Sequence, residues 1–178
     1  MPTLEELKTR FQSDRFAVEV LGAEIRQAEP GCALCALGLR PEHMNANHTP
    51  MGGAIFTLAD FAFAVAANGF AEQVTVSQAV SITFLAPARG RELLARARCL
   101  KAGRTTCLYA VEVRDELGTY VAHGTVNGFT LAPRTAGPET FPDAPVGNGA
   151  RVNGLEAAGD IPGSGGGAGR STASYAQG

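Results

Sequence analysis

Twenty consecutive residues, Met51 to Phe70 (MGGAIFTLADFAFAVAANGF), carry a single charge, that of Asp60. Ala, Leu, Ile, Phe and Met dominate the run, and all except Phe and Ile are strong helix formers. Pro50 suits the entry to a helix, and Asn68-Gly69 a stop. A helix that is apolar on every side belongs inside a protein. At 1.5 Å per residue the run spans roughly 25–30 Å, which also fits a membrane. Thr57, Asp60 and Asn68 interrupt it, however, and a central Asp is costly in lipid. A helix buried in protein is therefore expected, with no membrane crossing. A carboxylate inside it must be paired, hydrogen-bonded or held partly protonated, and such groups often have chemical tasks.

What could wrap such a helix is legible on either side of it. Thr3 to Phe11 reads as a short amphipathic helix, with Thr3 and Glu6 spaced as a capping box. Phe16 to Ala28 shows strand-like stretches broken at Gly22, and Cys32 to Leu39 reads as a strand. After the helix come four more. Thr75–Leu85 places Val76, Val80, Ile82 and Phe84 on one face, with Ser77, Ala79, Ser81 and Thr83 on the other. Glu92–Leu100 groups Leu93, Ala95, Ala97 and Cys99; Thr106–Val113 groups Cys107, Tyr109, Val111 and Val113; Thr119–Leu131 is the last. The turn-like connectors at 101–104 and 115–118 imply antiparallel neighbours. About six strands with one apolar face each, and one helix apolar all round, are both satisfied by a curved sheet folded about the helix. The expected class is α+β, a hotdog fold: an antiparallel sheet of about six strands wrapped around one long buried helix.

The domain is expected over residues 1–134. Residues 135–178 turn Gly- and Pro-rich, with GSGGGAG at Gly163 to Gly169, and read as a disordered tail. The formal net charge of −2 and the lack of a basic stripe argue against nucleic acid as a partner. Residues 1–22 have no apolar signal core, so a cytoplasmic setting is expected. Cys32 and Cys35 have CxxC spacing, but on a strand an odd spacing puts them on opposite faces. Reduced, buried thiols are the expectation, and no clustered ligand set suggests a metal.

Two features near the helix carry chemistry. Gly52-Gly53 opens it, where first-turn N–H groups lack partners and the helix dipole favours negative charge. A carbonyl under attack could place its oxyanion there, although the glycines could equally serve close packing. Gly52 and Asp60 lie eight residues apart, about 12 Å along a helix axis. One carbonyl cannot meet both on the same helix. A symmetric dimer pairing Gly52 of one chain with Asp60 of the other would resolve this, with two equivalent sites.

The stretch HMNANHTPMGGAIFTLADFAFAVAAN up to Asn68, continued by VSQAVSITFLAPA from Val76 to Ala88, resembles the hotdog-fold acyl-CoA thioesterases of the phenylacetate-degradation type. The pattern is Asn45, six residues, the glycine pair, then the acid eight beyond Gly52. The resemblance implies that Asp60 activates or orients the hydrolytic water. It further implies that the Gly52 N–H polarises the thioester carbonyl, that Asn45 positions thioester and water, and that Ser77 holds the water beside the acid. Arg89, Arg91, Lys101 and Arg104 are candidates for the coenzyme A phosphates. Coenzyme A enters as part of the substrate, no separate cofactor is implied, and a homodimer or homotetramer is expected. Many relatives have His where this chain has Met51; His48, three residues earlier, reads as a solvated loop residue, and His43 and His123 are as bland. A hotdog hydratase or dehydratase and a non-catalytic acyl-CoA-binding module are the alternatives.

Overall fold

A computed structural model describes residues 1–132. The expected tail at 135–178 lies outside the described residues. The chain opens with α1 (Leu4–Phe11), capped as its sequence requires: the Glu6 N–H donates to Thr3 Oγ1, and the Glu6 carboxylate accepts from the Thr3 N–H. Strands β1 (Ala23–Glu29) and β2 (Cys32–Gly38) precede the long helix α2 (Gly52–Asn68). Four strands follow: β3 (Thr75–Phe84), β4 (Glu92–Ala102), β5 (Thr106–Asp115) and β6 (Tyr120–Thr130). All pair antiparallel in one sheet of order β1-β2-β4-β5-β6-β3.

Helix α2 touches all six strands, so the sheet curls around it. The strands supply alternate residues to the contact: Ala33, Cys35 and Leu37 from β2, Leu93, Ala95 and Ala97 from β4, Tyr109, Val111 and Val113 from β5. Against these pack Ile55, Leu58, Ala59, Ala62, Val65 and Ala66 of α2. Phe63 meets the Tyr109 ring edge-on at 5.2 Å. Each large apolar side chain so buried contributes roughly 1.5–3 kcal/mol, and this burial, rather than propensity alone, holds α2 in place. No helix among the described residues is long and apolar enough to cross a membrane.

Three expectations need correcting. Phe16–Leu21 is a wide, π-type helical turn and not a strand. Asp14 starts it by accepting the Ala17 N–H on Oδ1 at 3.3 Å, and Gly22 ends it with φ 85°, a left-handed conformation that glycine adopts without strain. Secondly, α2 is not covered all round. Phe56, Thr57, Asp60, Ala64 and Ala67 form a stripe that this chain leaves partly open. Thirdly, β3 carries a bulge between Ser77 and Ala79, so Gln78 has no partner of its own on β6. A strand alternates faces every residue, and one extra residue inverts the count. Ser77 pairs with Gly128 and Val80 with Val126, both buried. Ser77 therefore shares the helix-facing side with Val80, Ile82 and Phe84, while Val76 is turned away.

Candidate active site

The N-terminus of α2 sits beside a groove of about 410 Å³. Asn45, Thr49, Gly52 and Ile55 line one side of it, and Phe84 through Ala88 the other. Met51 precedes the helix without offering a side-chain cap. Among the described residues neither the Gly52 nor the Gly53 N–H finds an acceptor, which leaves two donors at the positive end of the dipole. Gly52 also serves packing: a Cβ there would come within 3.1 Å of the Phe84 ring. Both readings of this glycine thus hold at once.

The loop from Asn45 to Pro50 is built tightly. Asn45 Oδ1 accepts the Asn47 N–H at 2.9 Å, the Thr49 N–H at 3.3 Å and the Thr49 hydroxyl at 3.2 Å. Its amide nitrogen has no hydrogen-bond partner among the described residues, and Asn45 lines the groove. The Met51 N–H donates to His43 O at 2.8 Å and ties the loop's end to its start. His43 is buried rather than solvated. Its Nδ1 accepts the Arg40 N–H at 3.1 Å, and burial, assisted by the Arg40 charge, lowers its pKa. His48 stays on the surface at φ 56°, and His123 faces out beside the Tyr120 hydroxyl at 3.0 Å.

Asp60 lies on the open stripe of α2, part-buried, in a second cavity of about 180 Å³ with Asp14, Phe16, Ala17, Phe56, Thr57 and Phe61. Its Oδ1 is buried and has no hydrogen-bond partner. Burial raises its pKa above the usual carboxylate value; the nearby Ser77 hydroxyl opposes this and the Asp14 charge reinforces it. Ser77 can act on Asp60 only because the bulge turns it to the helix. Asn45 and Gly52 thus share one groove and Asp60 and Ser77 another place, about 12 Å further along α2.

The four basic candidates divide between opposite ends of the sheet. Arg89 and Arg91 are in the loop after β3, just beyond the groove residues Phe84–Ala88. Lys101 ends β4, and Arg104 is in the following turn, where it lines a surface depression with Glu72, Thr75 and Thr130. Sequence reasoning missed two residues here. Phe84 shapes the groove against Gly52. Asp115 fixes the loop beyond it, accepting N–H bonds from Arg89 (2.8 Å), Gly90 (3.1 Å), Leu117 (3.1 Å) and Thr119 (2.7 Å). A lone Asp at a strand end gives no sign of that many donors.

A six-stranded antiparallel sheet curled about one long helix is the hotdog fold. The same fold appears in PaaI from the phenylacetic acid degradation operon of Escherichia coli, at a TM-score of 0.65 over 75% of this chain and all of that one, with 24% identity. A mutant of the phenylacetic acid degradation protein PaaI from Thermus thermophilus superposes at 0.59 over 64% of this chain and 97% of that one, with 33% identity. Residues 48–122 match the family model of the thioesterase superfamily. A putative esterase of Archaeoglobus fulgidus is 33% identical over 120 residues, 67% of this chain and 77% of the relative. The acyl-coenzyme A thioesterase PaaI of Escherichia coli is 32% identical over 115 residues, 63% of this chain and 79% of the relative. The chain belongs to the thioesterase superfamily, as a PaaI-like hotdog enzyme.

Proposed function

We propose that the protein hydrolyses acyl-CoA thioesters at two equivalent sites, each completed by a second copy of the chain. The observation that carries this reading is the separation on α2 between a helix start with free donors and a part-buried acid whose Oδ1 has no hydrogen-bond partner. Neither half can serve a single carbonyl alone, and each has what the other lacks. The open stripe of α2 and the free edge of β3 offer a surface for the second copy, with Met51, Phe56, Val76 and Phe84 exposed along it. The likeness to the Escherichia coli acyl-coenzyme A thioesterase supports the substrate class. A cytoplasmic setting accords with such a substrate.

In this mechanism the thioester carbonyl oxygen lies at the Gly52 N–H, with Asn45 Nδ2 aligning the group. Asp60 of the partner subunit takes a proton from a water that Ser77 of the partner subunit helps hold. The water oxygen bonds to the carbonyl carbon, and the pair displaced onto oxygen is stabilised by the N–H and the helix dipole. Collapse breaks the C–S bond, the proton held by Asp60 passes to sulfur, and the free thiol leaves with a carboxylic acid that loses its remaining proton to solvent. The Asp60 pKa, raised by burial, makes it a stronger base once ionised. Arg89 and Arg91, which follow the groove residues Phe84–Ala88, would meet the substrate phosphates, and Lys101 and Arg104 lie at the far end of the sheet.

Replacing Asp60 with Asn keeps the shape and removes the base. Thiol release from a panel of aryl and aliphatic acyl-CoAs should fall by at least about 100-fold, with an unchanged oligomer on size exclusion. Undiminished release in that variant would sink the assignment.

A further inference from the structure

The cavity beside Asp60 has a second carboxylate on its wall, and the site as described does not use it. We propose that Asp14 is a positioning residue for this hydrolysis: fixed as the cap of the 16–21 turn, it faces the Asp60 cavity and sets the pH above which Asp60 works as a base. The inference rests on Asp60 being that base.

The geometry gives Asp14 a defined place. Its Oδ1 accepts the Ala17 N–H at 3.3 Å and its carbonyl accepts the Val18 N–H at 2.9 Å, so the turn holds it from two sides. Phe16 and Ala17, the residues it caps, line the same cavity as Asp60. No cation among the described residues lines the cavity that the two acids share. Arg15 pairs with Glu19 at 3.0 Å. On α1, Lys8 pairs with Glu5 at 2.7 Å, and Arg10 donates to Gly69 O and Ala71 O. On β1, Glu24 pairs with Arg26 at 3.4 Å. Helix α2 has no charge besides Asp60, and β3 none at all, offering only the Ser77 hydroxyl. Asp14 is thus the one charged residue besides Asp60 on the wall of this cavity among the described residues.

Two carboxylates sharing a site disfavour each other's ionisation. Asp14 is itself exposed, while Asp60 is part-buried, and the Asp60 pKa rises with burial first and with the Asp14 charge in addition. Deprotonation of Asp60 is then delayed to higher pH, and the base formed is stronger. Because Asp14 is exposed, its influence must pass partly through solvent and must weaken as salt screens it.

The test is Asp14→Asn, since Asn caps helical turns as well as Asp does and only the charge is lost. In the full-length protein, kcat/KM for an acyl-CoA that the wild type turns over is measured against pH, at low and high salt. The acidic limb should move to lower pH in Asp14→Asn and stay near wild type in Asp14→Glu. Raising salt should lower the wild-type limb and leave that of Asp14→Asn in place, which a merely structural cap would not do. A carbon NMR titration of the side-chain carboxyls, with Asp60 assigned by the signal lost in Asp60→Asn, reads the same shift without turnover. An Asp60 midpoint identical in wild type and Asp14→Asn overturns the inference, even if no thioester is hydrolysed. A wild type that releases no thiol, with a midpoint that still moves, overturns the thioesterase reading alone.

Discussion

Single residues divide here into those that hold shape and those that hold chemistry, and charge alone does not tell them apart. Asp115 is almost fully buried, and burial by itself would push its carboxyl up. The N–H donors of Arg89, Thr119 and Gly90 outweigh that and bring its pKa down from 3.8 to about 2. Asp60 has the opposite balance: burial raises it and only Ser77 pulls back. An acid whose folded pKa is depressed adds stability above its unfolded pKa and loses it as pH falls through the folded one. Asp115 should therefore contribute on the order of 2 kcal/mol at neutral pH, and that contribution should disappear between about pH 4 and pH 2. Urea unfolding of wild type and Asp115→Asn should show a gap at pH 7 that closes toward pH 2. A gap independent of pH would mean that the four N–H bonds do not depend on the charge.

At the scale of elements, the readable parts of the sequence were those with a single, uninterrupted period. β4 and β5 alternate without fault through the residues that face α2, and their faces were correctly assigned from Leu93, Ala95, Ala97 and from Tyr109, Val111, Val113. The capping box of α1 was legible because Thr3 and Glu6 act within one turn. Phe16–Leu21 misled because Phe16, Val18 and Val20 alternate as in a strand; the overlooked signals were Asp14, three residues before Ala17, and Gly22 at the end. The β3 faces were inverted from Val76 to Ser77 because no residue type announces a bulge at Gln78. Gly52 and Asp60 could be singled out from helix spacing, and Asn45 only through the family resemblance; all three lie within one loop and one helix. Their grouping with Phe84 and Ser77 depends on strand register, which spacing does not encode. Gly128 of β6 marks the tightest packing between sheet and helix. A Cβ there would stand 2.6 Å from Cys107 Sγ, 2.8 Å from Thr75 Cγ2 and 2.9 Å from Phe63 Cζ. Gly128→Ala should cost about 1–3 kcal/mol through overpacking, read as a lowered Tm. An unchanged melt would show that β6 and Phe63 yield more freely than a close-packed core should.

For the whole molecule, the proposed pairing of chains permits a test that no single variant offers. Gly52→Pro removes the oxyanion N–H at a first-turn position where proline is tolerated. Asp60→Asn removes the base. Each variant alone should be nearly inactive, since both of its sites are damaged. Mixed and reassociated in equal amounts, half the dimers are hybrids. One site of each hybrid combines an intact Gly52 with an intact Asp60 of the partner subunit, so thiol release should recover to about a quarter of wild type. No recovery, with hybrids confirmed by native mass spectrometry, would rule out a site that joins Gly52 of one chain to Asp60 of the other.

The stiffness of α2 has a further consequence. A seventeen-residue helix gripped by six strands cannot bend to bring its start to its middle. On the proposed mechanism, one molecule would hold every functional group the reaction calls for and still have no complete place to perform it. Turnover per chain would then depend on the protein's own abundance, constant when pairs are saturated and falling on dilution. The helix would thus act as a spacer that makes catalysis a collective property of two chains.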